Sequence, residues 1–351
     1  MPANHLHSHL FPGVPLALGS AALFGATPPL SKLLLDAVDP FMLAGLLYLG
    51  AGVGLALYRA FNRDADREAH LVRQDVPWLA LAIVLGGALA PVLLMFGLTL
   101  TTATNASLLL NLEGLATMAI AWLVYRENVD RRLLLGALAI LAGAVVLSWQ
   151  GQGSIDLGAL LVAGACLAWG LDNNFTRKIS AADPVVIAML KGLVAGAVNL
   201  SIALVSGASL PTLQVIAAAA VLGLLGIGVS LVMFILALRH LGTARTGAYY
   251  SLAPFIGAIL AMTVLAEPLT MRLLVAAVLM GVGLWLHLSE RHEHDHRHEA
   301  LEHEHAHIHD EHHRHDHDGP VSQPHSHWHR HEPMLHKHPH YPDLHHRHSH
   351  G

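Results

Sequence analysis

From Leu213 to Leu238 the chain carries no charged side chain at all. A bilayer core asks for about 20 consecutive apolar residues per helix. A soluble amphipathic helix of this length would need a polar face, and this segment has none. Residues 132–149 have the same character, with one arginine at their start. The composition agrees: 54% of residues are hydrophobic and 13% charged, where a soluble domain carries about 25% charged. The chain is therefore read as an all-α integral membrane protein.

Ten segments have the length and polarity of spans: 14–35, 41–60, 77–97, 103–125, 132–149, 157–179, 185–205, 213–238, 244–265 and 271–288. Residues 77–97, 132–149 and 213–238 are the clearest. The first and sixth are less clean, because they hold Pro28, Pro29, Asp172 and Asn173. Met1 to Phe11 lacks Lys and Arg, so it does not form the basic start of a secretory signal, and the first apolar run is expected to be retained. Ten spans put Arg59, Arg63, Arg67, Arg73, Arg126, Arg131, Arg132, Arg177, Lys178, Arg239 and Arg245 on one side. Only Lys32 and Arg272 fall on the other. By the positive-inside rule the first side is cytoplasmic, so both termini are expected in the cytoplasm, and a bacterial inner membrane is the expected location.

The halves repeat. Phe24-Gly25 precedes Asp39-Pro40 as Trp169-Gly170 precedes Asp183-Pro184. Ala103-Thr104 through Glu127, Gly136 and Gly143 matches Thr243-Ala244 through Glu267, Ala276 and Gly283. Five spans per half make the second copy enter from the opposite face, an inverted-topology repeat of the kind found in secondary transporters. The expected organisation is a short N-terminus (1–13), two five-helix repeats (14–149 and 157–288) and a tail (289–351).

With these paired motifs the chain resembles EamA-type transporters of the drug/metabolite transporter superfamily, over about Pro15 to Leu288. The resemblance implies a ten-helix fold with substrate held between the halves, and implies no particular substrate. Two departures stand out. Where such proteins commonly carry a proline midway along the fourth helix of a half, Pro254 provides it in the second half, whereas the first half has Glu113-Gly114. Where they often carry an arginine in the second helix, this chain has Lys191 in one half and Leu46-Leu47 in the other.

An ionisable residue inside a span costs about 2.5–3.5 kcal/mol on insertion scales, so it is a functional candidate by default. Glu113 is the foremost, flanked by Asn111 and Thr117. Thr102, Ala106, Leu109, Glu113 and Thr117 share one face by helical period, a mixed face suited to a cavity. Glu113 is read as a cation ligand or proton-coupling carboxylate, or else as a structural partner of Lys191. Asp172, Asn173 and Asn174 align with Thr27, Pro28 and Pro29, so both first helices are expected to be interrupted at matching places near the midplane. Lys191 is expected to neutralise Glu113 or Asp172, or to meet an anionic substrate. Tyr249 and Tyr250, beside Pro254, are candidates for the pathway wall, and Glu127 and Glu267 for capping at helix ends.

The tail is of another kind. His292, His294, His296, His298, His303, His305, His307, His309, His312, His313, His315 and His317 alternate with Asp, Glu and Arg. Such polarity cannot bury a core, so disorder is expected without metal. Imidazole suits nickel, cobalt, zinc and copper(II). The tail is therefore read as a divalent transition-metal binder, with the ion as ligand or substrate and no tightly bound cofactor. His-tailed members of the superfamily linked to nickel and cobalt resistance are similar. The leading expectation is a proton-coupled exporter of nickel or cobalt; the others are an exporter of a small organic metabolite such as an amino acid, and a membrane-anchored metal store. Partners are expected to be lipid and metal ions or a small solute, with no nucleic acid, in a monomer or homodimer. Nothing in the sequence supports an enzyme.

Overall fold

The computed structural model describes residues 13–61, 70–125, 131–151, 154–179, 182–288, 295–297, 301–307, 325–331 and 335–337. The helices are α1 (Gly13–Leu35), α2 (Pro40–Phe61), α3 (Arg73–Leu100), α4 (Ala103–Val124), α5 (Arg131–Ser148), α6 (Leu157–Ile179), α7 (Pro184–Val205), α8 (Leu213–Ala237), α9 (Ala253–Val264) and α10 (Met271–Leu288). Asp-Pro starts two of them for one reason. Asp183 accepts from the Val185 and Val186 amides at 2.8 and 3.3 Å, and Asp39 from those of Phe41 and Met42 at 2.9 and 3.2 Å. Each aspartate thus satisfies the orphan donors of the first turn, while the proline that follows has no N–H to lose.

Seven of these helices, α1 to α5, α7 and α8, are long and apolar enough to cross a membrane. The helix α6 has the length but carries Asp172, Arg177 and Lys178, and α9 and α10 are apolar but shorter. Helical backbone continues from α8 through Ser230–Tyr250. Yet the rings of Phe234 and Tyr250 lie 4.7 Å apart, whereas sixteen residues of straight helix would separate them by about 24 Å. The chain therefore doubles back between them, and α9 packs against α1 and the first part of α4, with Gly257 against Gly25 and Ser107.

The expected interruptions of the first and sixth spans do not occur. The helix α1 runs through Pro28 and Pro29, and α6 runs through Asp172, Asn173 and Asn174. In α6 the side chains support the turn they sit on: Asn174 donates to the Gly170 carbonyl at 2.8 Å, and Thr176 to Asp172 at 3.0 Å. In α1 the prolines leave the carbonyls of Phe24 and Gly25 without a helical donor. The Gly25 carbonyl lies where a side chain on Gly257 would stand, 2.6 Å from the position of its Cβ. Small residues thus let α1 and α9 touch backbone to backbone, as in close-packed membrane helices.

The real irregularities are two π-helical segments, Ile83–Leu89 inside α3 and Leu224–Val229 after the start of α8. They stand at equivalent places in the two halves of the sequence. Each holds paired glycines, Gly86 and Gly87 in one and Gly226 and Gly228 in the other. Each faces a first-helix residue of the opposite half: Gly86 lies against Asp172 and Gly226 against Thr27. The glycines and matched spacing were visible in the sequence, but a π-bulge leaves no signature beyond them.

The pairings across the halves come in twos. The helices α3 and α6 run antiparallel, with Gly97 near Gly158 and Gly86 near Asp172. In the same way α1 runs against α8, with Gly13 near Leu241 and Gly19 near Met233. The contacts α2 with α7 (Gly45 on Leu200, Gly52 on Leu193) and α5 with α10 (Gly136 on Gly283) each join like to like. Gly86→Ala is expected to be damaging, because its Cβ would enter the space of the Asp172 carboxylate, itself 3% exposed. A loss of about 1–3 kcal/mol is expected, read as a lowered melting temperature in detergent. Gly114→Ala meets nothing within 4 Å and serves as control; equal melting temperatures for the two would contradict this packing.

The tail departs from expectation as well. Instead of lacking structure throughout, it contains β3 (Asp295–Arg297), β4 (Leu301–His307), β5 (His325–His331) and β6 (Leu335–Lys337). These pair antiparallel, β3 with β6 and β4 with β5. Alternation of residue types with period two is what a strand requires. A further short pair, β1 (Trp149–Gly151) with β2 (Ser154–Ile155), links α5 to α6.

Candidate functional site

Glu113 sits just after a break in α4. Helical backbone spans Ala103–Leu109, lapses at Leu110 and resumes over Asn111–Tyr125. The break disturbs the single face expected for Thr102 to Thr117. Asn111 is buried and turned away: its amide donates to the Leu108 carbonyl at 2.8 Å and lies 3.8 Å from the Met280 sulfur of α10. Glu113 and Thr117 instead meet α6. The Asn173 amide donates to Glu113 Oε1 at 3.0 Å and to Thr117 Oγ1 at 3.2 Å, and the Thr117 hydroxyl donates to the Glu113 carbonyl at 2.9 Å. Asn174 binds α4 from the same side, donating to the Thr117 carbonyl at 3.1 Å. Four of the expected residues are thereby joined into one polar bridge between α4 and α6.

Lys191 of α7 resolves the choice left open by the sequence. It pairs with Asp172, not with Glu113. Both members are buried, at 8% and 3% exposure, and Asp172 accepts additionally from Thr176. The charge of Asp172 is thus compensated. Glu113 has no ion pair among the described residues and accepts from the neutral Asn173 amide.

Two residues that sequence reasoning did not single out as functional complete the wall. The Tyr48 hydroxyl and the Trp169 indole N–H both donate to the Gly86 carbonyl, at 2.8 and 3.0 Å. That carbonyl belongs to the π segment of α3, where the i→i−4 ladder is broken and an acceptor is left over. Trp169 belongs to the repeated aromatic-Gly motif. Its ring meets Phe24 edge-on at 6.2 Å, and Phe24 meets Tyr250 at 5.6 Å. Tyr250 therefore joins the aromatic wall between α1, α6 and α8, whereas Tyr249 packs into a cluster with Ala17, Ala237 and Leu241.

Contacts at the two ends of the bundle tie the halves. At one end the Glu267 carboxylate accepts from the Ala103 and Thr104 amides, each at 2.8 Å, and from the Thr104 hydroxyl. It caps the orphan donors of a helix in the other half, favoured by the positive end of the helix dipole. Ala266 takes φ 52° to deliver it. Near that end Lys32 donates to the Leu98 and Thr101 carbonyls of α3. At the opposite end Arg59 pairs with Asp183. Glu127 lies outside the described residues.

Among the described residues no three His, Cys, Asp or Glu side chains gather as a metal site. Of the tail histidines, His296, His303, His305 and His307 fall in strands whose backbone is described. His292, His294, His298, His309, His312, His313, His315 and His317 lie outside the described residues.

A bundle of apolar helices enclosing a charged and amide-lined centre defines a multi-pass membrane protein. The chain belongs to the EamA-like transporter family, which it matches over residues 11–149 and again over 156–289. An uncharacterized transporter of Methanothermobacter thermautotrophicus is 32% identical over 282 residues, 75% of this chain and 82% of that protein. A probable amino-acid metabolite efflux pump of Salmonella typhimurium is 28% identical over 201 residues, 52% of this chain and 66% of its own length. A solved crystal structure superposes with a TM-score of 0.57, covering 78% of this chain and 95% of that one at 21% identity, a likeness of fold alone.

Proposed function

We propose that the protein is a proton-coupled secondary transporter that exports a small organic solute. Its ten spans form two inverted repeats, 14–149 and 157–288, in a bacterial inner membrane with both termini cytoplasmic. The observation that carries this reading is the contrast between two intramembrane carboxylates. Asp172 is neutralised by Lys191, while Glu113 meets a neutral amide. A carboxylate without a cation at membrane depth takes up and releases a proton readily, or waits for a charged solute. The aromatic wall of Trp169, Phe24 and Tyr250 suits an organic solute. The Salmonella relative's name points the same way.

A second reading is export of nickel, cobalt or zinc, with the tail collecting ions in the cytoplasm. It is favoured by the density of histidine, 29 residues in all. In both readings the tail binds divalent transition metal. Purified protein in liposomes, under an imposed pH gradient, separates them. Gradient-driven flux of amino acids, with nickel, cobalt and zinc unmoved, supports the first reading. Metal flux with no amino-acid flux overturns it in favour of the second, and flux of neither from folded protein removes both.

A further inference from the structure

Polar contacts cross between the halves at both ends of the bundle, and each can part without stripping a helix of its own cap. At one end Glu267, three residues past α9 in the second half, accepts from the Ala103 and Thr104 amides and the Thr104 hydroxyl at the start of α4 in the first half. The first turn of α4 also has a cap within its own half: Thr102 Oγ1 accepts from the Asn105 amide at 3.1 Å. At the other end Arg59 of α2 pairs with Asp183 of α7. Asp183 holds the Val185 and Val186 amides through its other oxygen.

Two further features set the Glu267 contact apart. Ala266 delivers the carboxylate from φ 52°, a left-handed backbone in which the alanine Cβ crowds the following carbonyl oxygen, so the contact is held against strain. One turn further along α4, Ser107 is fully buried at the seam with α9, its Oγ 2.8 Å from where a Cβ on Gly257 would stand, and the hydroxyl has no hydrogen-bond partner among the described residues. We propose that Glu267 is the latch of a gate between α4 and α9, closed in this structure and opened when the carboxylate leaves α4 and Ala266 relaxes. On the topology proposed above this is the outer gate, and the Arg59–Asp183 pair is its inner counterpart. In alternating access the two ends open in turn, so loosening one end draws population away from the form open at the other.

This inference rests on the reading of the chain as a transporter with both termini cytoplasmic, and the experiment separates the two. Full-length protein carrying Ser107→Cys in sealed, right-side-out vesicles is exposed to a membrane-impermeant maleimide, and the rate of labelling is followed. Cys166, the single native cysteine, is buried in α6 and sets the background. Glu267→Gln removes the charge and one of the two acceptor oxygens, and labelling from outside is expected to rise at least about tenfold. Ala266→Gly relieves the strain of the latched form, and labelling is expected to fall about fivefold. Arg59→Gln loosens the opposite end and is expected to lower labelling too, whereas a fold that is merely loosened would raise it. Labelling that rises in all three variants, or changes in none, overturns the latch. A rise with Glu267→Gln but no fall with Arg59→Gln overturns the gate in favour of a fixed clamp. The expected pattern obtained only with reagent trapped inside the vesicles supports the latch and overturns the proposed orientation.

Discussion

Glu113→Gln is expected to abolish gradient-driven transport while leaving the protein folded and able to exchange solute. Glutamine keeps the oxygen that accepts from Asn173 at 3.0 Å, so the bridge between α4 and α6 survives. What it removes is a group that binds and releases a proton. In liposomes loaded with solute and given a pH gradient, accumulation is expected to fall at least about tenfold, a change of about 1.4 kcal/mol in coupling. Solute exchange without a gradient is expected within about twofold of wild type, since uncoupled binding does not need the proton. Asn173→Ala is the companion change: it leaves Glu113 without its donor and is expected to shift the pH at which transport is half-maximal rather than to uncouple it. Full gradient-driven accumulation by Glu113→Gln would remove Glu113 from the coupling step.

The apolar runs announced the helices, because in lipid every backbone polar group must be satisfied within its own segment. The Asp-Pro starts were equally legible, since capping is a local matter of two adjacent residues. Pairing was not. Whether Lys191 answers Glu113 or Asp172 depends on how α7 sits against α6 and α4, a tertiary fact with no local mark. Asn111, immediately after the break in α4, stands beside Glu113 in the sequence, yet its side chain bonds to the Leu108 carbonyl and lies near Met280 while Glu113 meets α6. Proline and asparagine suggested breaks in α1 and α6, yet both helices run through, and in α6 Asn174 and Thr176 bond within their own turn. The actual disturbances were carried by glycines, which read equally well as close packing. In the tail, period-two alternation signalled strands, and its polarity masked that signal.

Lys191→Met is expected to be more destabilising than any change at Glu113. Among the described residues it leaves the Asp172 carboxylate, 3% exposed, with only the Thr176 hydroxyl. Breaking a buried pair from one side costs about 3–5 kcal/mol, whereas replacing both partners by neutral groups of similar shape is often tolerated. The double variant Asp172→Asn with Lys191→Met is therefore expected to recover most of the melting temperature that the single variant loses. If the double change were as unstable as the single one, the pair would not be a compensated unit. Transport by the double variant then carries separate information. A pair that only supports the π segment behind Gly86 can be neutralised without loss of flux, because Tyr48 and Trp169 still hold the Gly86 carbonyl. A pair that opens to meet a solute bearing both charges cannot, and a stable but inactive double variant is the result expected for the proposed chamber. Stability recovered together with full flux would place the solute nearer Glu113 and Asn173, away from α7.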